Sequence, residues 1–518
     1  GSFSPFSAEE GKWSAEFPVG VASNKLECAS SADFAFGTGA FTVEGWAFVT
    51  ADTYDYSRLF AIGPYYNDNN SVGITVDHTD NSSKTAFYAY AAGGVLCLST
   101  SATPRNEWFH WAVTRDGTGD FRLFTNGNLD STNTSYRTTD ISPGGNQPFV
   151  IGSTTDRAVS EPYEGFMSNV RVVKGSALYT SSFTPSTSPL TAVTNTKLLA
   201  CCSNRYRDKS TSAHTVTVGG NPRIQPFSPF APSAAYDPAV NGGSGYFSAT
   251  ADYASIAASS DFDVLSNGTF TIDFWFYRTD ALGLYADYVG IFNGVSSGVL
   301  LYQYSTGFHV YINGSTVFNV THPNLNEWVH VALTRDGTTL KLFLNGVLKG
   351  SSTASLGTSN YPLNIAGDST GRAGVQGYVS DVRVVKGTAV YTSAFTPPTA
   401  PSTAITNTEA LLSFTNAAMF DQTGKTNIET HADAQLDTSV KKFGTASLEL
   451  DGDYDYLTLS NGSLIPSGFE SFTVECFIYV NAHKNYNNIG LSFGIQMYTD
   501  SGGKLICWLG NSSGAYFV

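Results

Sequence analysis

Residues 170–185, VRVVKGSALYTSSFTP, return at 382–397 as VRVVKGTAVYTSAFTP, differing only at Ser176/Thr388, Leu178/Val390 and Ser182/Ala394. Other blocks recur in the same order. EWFHWAVTRDG (107–117) returns as EWVHVALTRDG (327–337), and PLTAVTNTKLL (189–199) as PSTAITNTEALL (401–412). FTVEGW (41–46) returns as FTIDFW (270–275) and as FTVECF (472–477), and FSPF stands at 3–6 and 227–230. Offsets between equivalent blocks run from 202 to 229 residues, far too long for a solenoid, so the unit is a whole domain repeated in tandem. Pro/Thr/Ser-rich links at 184–194 and 396–406 divide the chain into copies at 1–192, 196–402 and 406–518. KLLACC and ALLSFTN are expected to open the second and third copies. By that register the first copy lacks its opening strand and the third stops before its EWxHxAxTRDG block, as in a piece of a longer array.

Within a copy the pattern is strand, turn, strand. In WVHVALTRDGTTLKLFLNGV (328–347), Val329, Val331 and Leu333 alternate with Trp328, His330 and Ala332, the period of two of a strand. Asp336-Gly337 and Asn345-Gly346 supply hairpin turns, because these residues accept the positive φ that tight turns require. Leu340, Leu342 and Leu344 line the strand between them, giving an antiparallel meander that the first copy repeats around Asp116-Gly117 and Asn126-Gly127. No stretch reads as an amphipathic helix. With 14% charged residues, 14% aromatics, 50 glycines and 42% hydrophobics, the chain reads as all-β sandwiches with ample cores. In that frame Val170, Val172 and Val173 read as a late, sheet-closing strand. Tyr179 and Phe183 anchor the returning segment, each worth roughly 1.5–3 kcal/mol when buried, and Pro185 stops it. Arg171, Arg383, Lys174 and Lys386 read as surface charges or packed stems.

Several kinds of chemistry find no support. The net charge of −15 repels polyanions, which argues against nucleic-acid partners. No run approaches the roughly 20 apolar residues of a membrane-spanning helix. The six cysteines, with Cys201 and Cys202 adjacent, are no disulfide scaffold and have no metal spacing; buried thiols are expected, with a Cys476–Cys507 pairing open. There is no G-x-S-x-G and no H-E-x-x-H. His110 and His330 recur beside Trp108 and Trp328 in apolar strands and read as sheet-face histidines. A glycosidase needs paired carboxylates. The nearest approach is Glu449, Asp451 and Asp453 in LELDGDYDYL, where Tyr454 stands at the position of the second glutamate. No catalytic residue is expected.

The order of blocks resembles the laminin-G-like domains of the concanavalin A-like jelly-roll superfamily. The resemblance is carried by the LxFxxxxxxDxTGK-like start at 412–425, FGTASLELDGDYDYLTL (443–459), FTVExW, EWxHxAxTRDGxxLxLFxNG, an Ile-Gly or Ile-Ala loop with Asp156 or Asp368, and the G-F/Y-x-S-N/D-V-R-V strand at 165–172 and 377–384. The wording VRVVKGxAxYTxxFTP followed by TNTxLL is similar to tandem copies in structural proteins of marine bacteriophages, especially cyanophages. The chain departs from the pattern at Asn24-Lys25-Leu26-Glu27, which replaces the DYASI of 252–256, and at Cys201-Cys202, which faces Ser413-Phe414.

The resemblance implies tandem antiparallel jelly-roll sandwiches. It also implies Ca²⁺ at a loop end, with Asp156 and Asp368 as ligands, since hard oxygen donors suit that ion; turn-forming aspartate is the competing reading. The variable loops are aromatic and acidic: Tyr54, Asp55, Tyr56, Tyr65, Tyr66, Asn67 and Asp68 in the first copy, and Tyr285, Asp287 and Tyr288 in the second. Tyrosine faces stack on sugar rings while Asp and Asn hydrogen-bond hydroxyls. The competing reading is tyrosine packed on the sandwich rim. The chain is thus expected to be a non-enzymatic virion-surface or fibre protein adhering to host-surface polysaccharide, beside other virion structural proteins and as a homo-oligomer, a trimer if a fibre. The alternative is a purely structural decoration or spacer of a virion or extracellular filament.

Overall fold

A computed structural model describes residues 3–50, 56–63, 71–78, 83–155, 161–232, 237–249, 251–280, 285–294, 296–353, 356–415, 428–431, 434–437, 439–444, 446–452, 454–459, 473–482, 487–492, 495–509 and 516–517. Two compact units divide the chain, Gly1–Asn427 and Ile428–Val518.

The first unit holds two antiparallel sandwiches. In the first, the strands Asn128–Asn133, Phe121–Thr125, Trp108–Arg115, Phe41–Val49, Gly165–Lys174, Ser14–Phe17 and Arg223–Gln225 lie side by side in that order. Its facing sheet runs Val216–Gly219, Lys25–Ser31, Gln147–Ile151, Ser57–Ile62, Val72–His78, Lys84–Ala89, Gly94–Ala102. The second sandwich repeats the plan. One sheet runs Gly245–Phe247, Gly377–Lys386, Phe270–Arg278, Trp328–Asp336, Thr339–Leu344, Val347–Ser352; the other runs Ala254–Ile256, Leu363–Ile365, Ala286–Phe292, Gly298–Tyr304, Gly307–Ile312, Ser315–Thr321. Alternation supplies the cores: Phe270, Ile272, Phe274 and Phe276 face inward with Val329, Val331 and Leu333, and all are fully buried. The Asn-Gly turns form as read, with Asn126 at φ 49° and Gly127 at φ 76°. A Cβ on Gly127 would come within 2.0 Å of the Phe183 carbonyl oxygen, so this turn admits only glycine.

The TNTxLL strand differs from expectation. Thr196–Ala200 pairs with Gly165–Lys174, and Thr408–Leu412 with Gly377–Lys386, so each completes the sheet of the copy before it rather than opening the next. The first sandwich also draws on Val216–Gly219 and Arg223–Gln225, well past the 192/196 division. The unpaired hydrogen-bonding edge beside the VRVV strand explains this, since the following segment is the nearest chain able to cover it.

The sandwiches meet through the two FSPF segments, and they do so reciprocally. Phe3 packs on Tyr277, Trp328 and Tyr378 of the second sandwich, and Phe6 on Trp275. Phe227 packs on Phe48, Trp108 and Phe166 of the first, and Phe230 on Trp46. Tyr206 N–H and Asn324 donate to Glu327 at the same junction.

In the second unit, Ile428–His431 pairs with Tyr456–Leu459 and Gln435–Asp437 with Ser447–Glu449, beside a four-stranded sheet of Asn487–Ser492, Ile495–Thr499, Leu505–Leu509 and Tyr516–Phe517. Residues 473–480, matching 42–49 by sequence, carry no strand pairing. All six cysteines are free: Cys28, Cys97, Cys201 and Cys202 are buried, whereas Cys476 and Cys507 are exposed and not bonded to each other. No helix among the described residues is long and apolar enough to cross a membrane.

Candidate binding face on the second sandwich

The repeated segment covers a buried polar network. A bulge opens the VRVV strand at Asn169 (φ 54°) and Asp381 (φ 53°), residue types that accept this conformation. Arg171 then donates through Nε (3.0 Å) and Nη2 (2.6 Å) to Glu44, Tyr179 donates its hydroxyl proton at 2.9 Å, and His110 Nε2 lies 3.2 Å from the same carboxylate. In the second sandwich Arg383 and Tyr391 close on Asp273 in the same way, with His330 at 3.7 Å because aspartate is one methylene shorter. Burial alone would push the Glu44 and Asp273 carboxyls up, but the histidine and arginine beside each hold them below the usual range. Tyr179 stacks on Phe183 at 3.6 Å and Tyr391 on Phe395 at 3.8 Å. Arg171 and Arg383 are therefore buried ion-pair members, not surface charges, while His110 and His330 sit on the sheet face beside Trp46 and Trp275. Glu44 is 0% exposed, so a ligand cannot reach the network.

The accessible chemistry lies on the outer face of the second sandwich's six-stranded sheet. Leu300, Tyr302 and Tyr304 point away from the core on one strand, and His309 and Tyr311 on its neighbour. Tyr285 stacks on Tyr302 at 5.0 Å with planes 27° apart, and Tyr302 lies 5.1 Å from His309. Tyr304 completes the group, 6.1 Å from His309 and 6.3 Å from Tyr285, and is 58% exposed. Burial holds the His309 imidazole below its ordinary value and so neutral at pH 7, and its Nε2 lies 3.2 Å from the Tyr304 carbonyl oxygen. Within this group Tyr304 is the exposed member, Tyr285 is half-buried, and Tyr302 and His309 are 8% and 7% exposed.

Behind this row stands Arg372. Its Nε and Nη2 donate to the two oxygens of Asp287 at 2.6 and 2.9 Å, and Nη2 also donates to the Tyr285 hydroxyl. The guanidinium lies over the Tyr285 ring at 4.7 Å and the Phe292 ring at 5.2 Å. Burial raises the Asp287 carboxyl above its usual value despite the arginine.

Of the sequence-derived candidates, Tyr285 is at the surface of the row. Asp287 is 3% exposed and engaged by Arg372. Tyr288 is fully buried against Phe276 at 4.4 Å, with His322 Nε2 2.5 Å from its hydroxyl, and cannot touch a ligand. A bulge between Asp287 and Val289 shifts the alternation and turns Tyr288 inward. Tyr56 is half-buried, in a turn with φ 63°. Tyr54, Asp55, Tyr65, Tyr66, Asn67, Asp68 and Asp156 lie outside the described residues. Asp368 serves its own turn: Oδ1 accepts from Thr370 N–H (2.8 Å) and Oγ1 (2.6 Å). With Arg372 on both Asp287 oxygens and Asp368 Oδ1 capped, this set does not fit a calcium ion as it stands, and no group of three metal-type side chains occurs among the described residues. Sequence reading missed Tyr302, Tyr304, His309 and Arg372; the signal was the alternation of aromatic and aliphatic residues in LLYQYSTGFHVYI (300–312).

A family model described as "Concanavalin A-like lectin/glucanases superfamily" matches residues 23–178 and 248–390. The chain belongs to this superfamily. No curated protein sequence matches it. Among solved structures, mouse laminin alpha1 domains LG4-5 align at 11% identity over 76% of this chain and 96% of theirs, with a TM-score of 0.26. A putative carbohydrate binding protein from Bacteroides ovatus aligns at 17% identity over 43% of this chain and 61% of its own, TM-score 0.30. The CBM40 of the Ruminococcus gnavus IT-sialidase aligns at 13% identity over 33% and 95%, TM-score 0.25. In this superfamily member the two matched stretches are the two sandwiches, and the aromatic row belongs to the second match.

Proposed function

We propose that the chain is a non-enzymatic display protein that adheres to glycans through the outer face of its second sandwich. Tyr304 carries this reading: it is 58% exposed at the end of the stacked group Tyr285–Tyr302–His309, so its ring can stack on the apolar face of a sugar ring and its hydroxyl can meet the sugar's own. A shallow site of this kind binds weakly, and multiplication by oligomerisation raises the effective affinity without new contacts. Residues 170–185 and 382–397, similar to cyanophage structural repeats, support placement on a virion, as a fibre or capsid appendage that contacts host-surface polysaccharide beside other virion proteins. The reciprocal FSPF contacts favour a second reading, a rigid spacer without ligand.

Co-sedimentation of the full chain with host-surface polysaccharide separates these readings. Adhesion predicts saturable binding, no release of reducing ends, and loss of binding in Tyr304→Ala. A spacer predicts no binding by folded protein, and released reducing ends would indicate an enzyme. A chelator arm reads out calcium: binding through the second sandwich should persist, whereas its loss would restore Asp156 or Asp368 as Ca²⁺ ligands.

A further inference from the structure

The two FSPF segments occupy equivalent places in their copies, yet each docks on the other copy. The receiving surfaces are also equivalent. In each, three aromatic residues sit side by side on adjacent strands: Phe166, Phe48 and Trp108 in one sandwich, Tyr378, Tyr277 and Trp328 in the other. Phe227 stands 4.9, 5.1 and 5.1 Å from Phe166, Phe48 and Trp108; Phe3 stands 4.9, 4.7 and 5.2 Å from Tyr378, Tyr277 and Trp328. The second phenylalanine meets the tryptophan two residues along the strand in both cases, at 5.7 Å (Phe230–Trp46) and 5.9 Å (Phe6–Trp275). Inside each segment the serine hydroxyl accepts from the second phenylalanine's N–H, at 3.2 Å for Ser228–Phe230 and 3.0 Å for Ser4–Phe6.

Neither segment belongs to a strand: residues 3–13 and 226–232 carry no ladder pairing. Proline at the third position removes a donor and fixes φ, so the segment keeps its shape without a partner strand. All four phenylalanines are nevertheless buried, between 1% and 8% exposed. The segment is thus held by side chains in a cradle, as a short proline-containing peptide is held in an aromatic groove, and the same geometry recurs although Phe48 and Phe166 in one cradle are replaced by Tyr277 and Tyr378 in the other.

We propose that this cradle is a docking site for an extended Phe-Ser-Pro-Phe segment, and that the segment is exchangeable between copies of this chain. In the intact chain each cradle is filled from the neighbouring sandwich. A cradle that loses its resident segment accepts the same segment from a second copy, so the sandwiches carry a transferable joint through which arrays can interlock. The high local concentration of a tethered segment keeps the joint intramolecular by default.

The test uses the full chain as Phe3→Ala/Phe6→Ala, which empties the second sandwich's cradle, and a synthetic peptide of residues 2–9 (SFSPFSAE). Calorimetry should show saturable binding at one peptide per chain. Affinity should fall at least tenfold when both peptide phenylalanines are alanine and at least tenfold for the wild-type chain, whose cradle is filled. A peptide of residues 226–233 (PFSPFAPS) should compete for the same cradle. Phe227→Ala/Phe230→Ala, which empties the first sandwich's cradle, provides an independent second variant. Folded variants that bind no peptide, or bind the alanine peptide equally well, would overturn the proposal. So would unfolding of both variants, because the segment would then be a core element rather than a separable ligand.

Discussion

The two sandwiches differ along one line of three residues crossing their smaller sheets. In the first, Arg58, Thr75 and Ala86 stand opposite one another on successive strands; in the second, the same register is Asp287, Tyr302 and His309. Both copies place an ion pair at the start of that line, with the charges exchanged. Arg58 on the strand is met by Glu161 from the loop, and Asp287 on the strand by Arg372 from the loop. Each arginine also covers a tyrosine, Tyr88 at 4.5 Å and Tyr285 at 4.7 Å. Tyr88 is 3% exposed, however, whereas Tyr285 is half-buried and leads to Tyr304, which is 58% exposed. The frame requires a neutralised pair at this rim but not a particular sign, and the residues beyond the pair are free to vary. The proposed binding row lies where the copies diverge, and VRVVKG lies where they agree.

Breaking what the copies share should have the largest effect. Arg171→Ala or Arg383→Ala leaves a buried carboxylate without its main partner, and each should cost about 3–5 kcal/mol, measured by chemical denaturation, with similar losses in the two sandwiches. The rim pairs should then separate the copies. Glu161→Gln strands Arg58, whose side chain is 3% exposed, and should cost about 3 kcal/mol, while Asp287→Asn strands Arg372, whose side chain is 20% exposed, and should cost less than half as much.

The pH dependence distinguishes two carboxylates by sign. Glu44 is held below its ordinary value of 4.5, so its contribution is fully present above that pH and is lost as pH falls through its lower folded value. Glu327, at the junction, is pushed up to about 7, chiefly by burial, so the folded state loses stability as pH rises from 4.5 through about 7. Glu327→Gln should remove that loss, leaving the variant more stable than wild type at pH 8 and not at pH 4.5, as thermal melts across this range would show. The smallest effect is expected from Asp273→Glu, which restores the length found in Glu44 and should cost about 1 kcal/mol for the one methylene added at a buried site.

Much of the fold was legible because it depends on local signals. Period-two alternation placed Trp328–Asp336 and Thr339–Leu344, and the Asn-Gly pair placed the turn at Gly127. The VRVV segment and its aromatic anchor are legible, but the strand is interior rather than sheet-closing, with Phe41–Val49 on one side and Thr196–Ala200 on the other. What was not legible depends on distance or on broken phase. Arg171 finds Glu44 across 127 residues, so nothing near it announced burial. The bulge at Asp287/Val289 put Tyr288 in the core, against simple alternation. The partner of the TNTxLL strand is not legible, because a Pro/Ser/Thr link resembles a boundary even where the chain folds back across it. The aromatic row escaped notice because it spans a hairpin, with Tyr302 and His309 brought together by a turn at Ser305 (φ 55°).

The central claim is that the Tyr285–Tyr302–Tyr304–His309 row is a glycan-adhesion surface. The most direct measurement is affinity electrophoresis of the full chain and Tyr304→Ala through gels containing host-surface polysaccharide, with matched circular dichroism spectra. The account predicts retardation of the wild type, with or without chelator, and free migration of the variant, whose exposed side chain contributes little to the fold. Equal retardation of both proteins, or none for folded wild type, would contradict it.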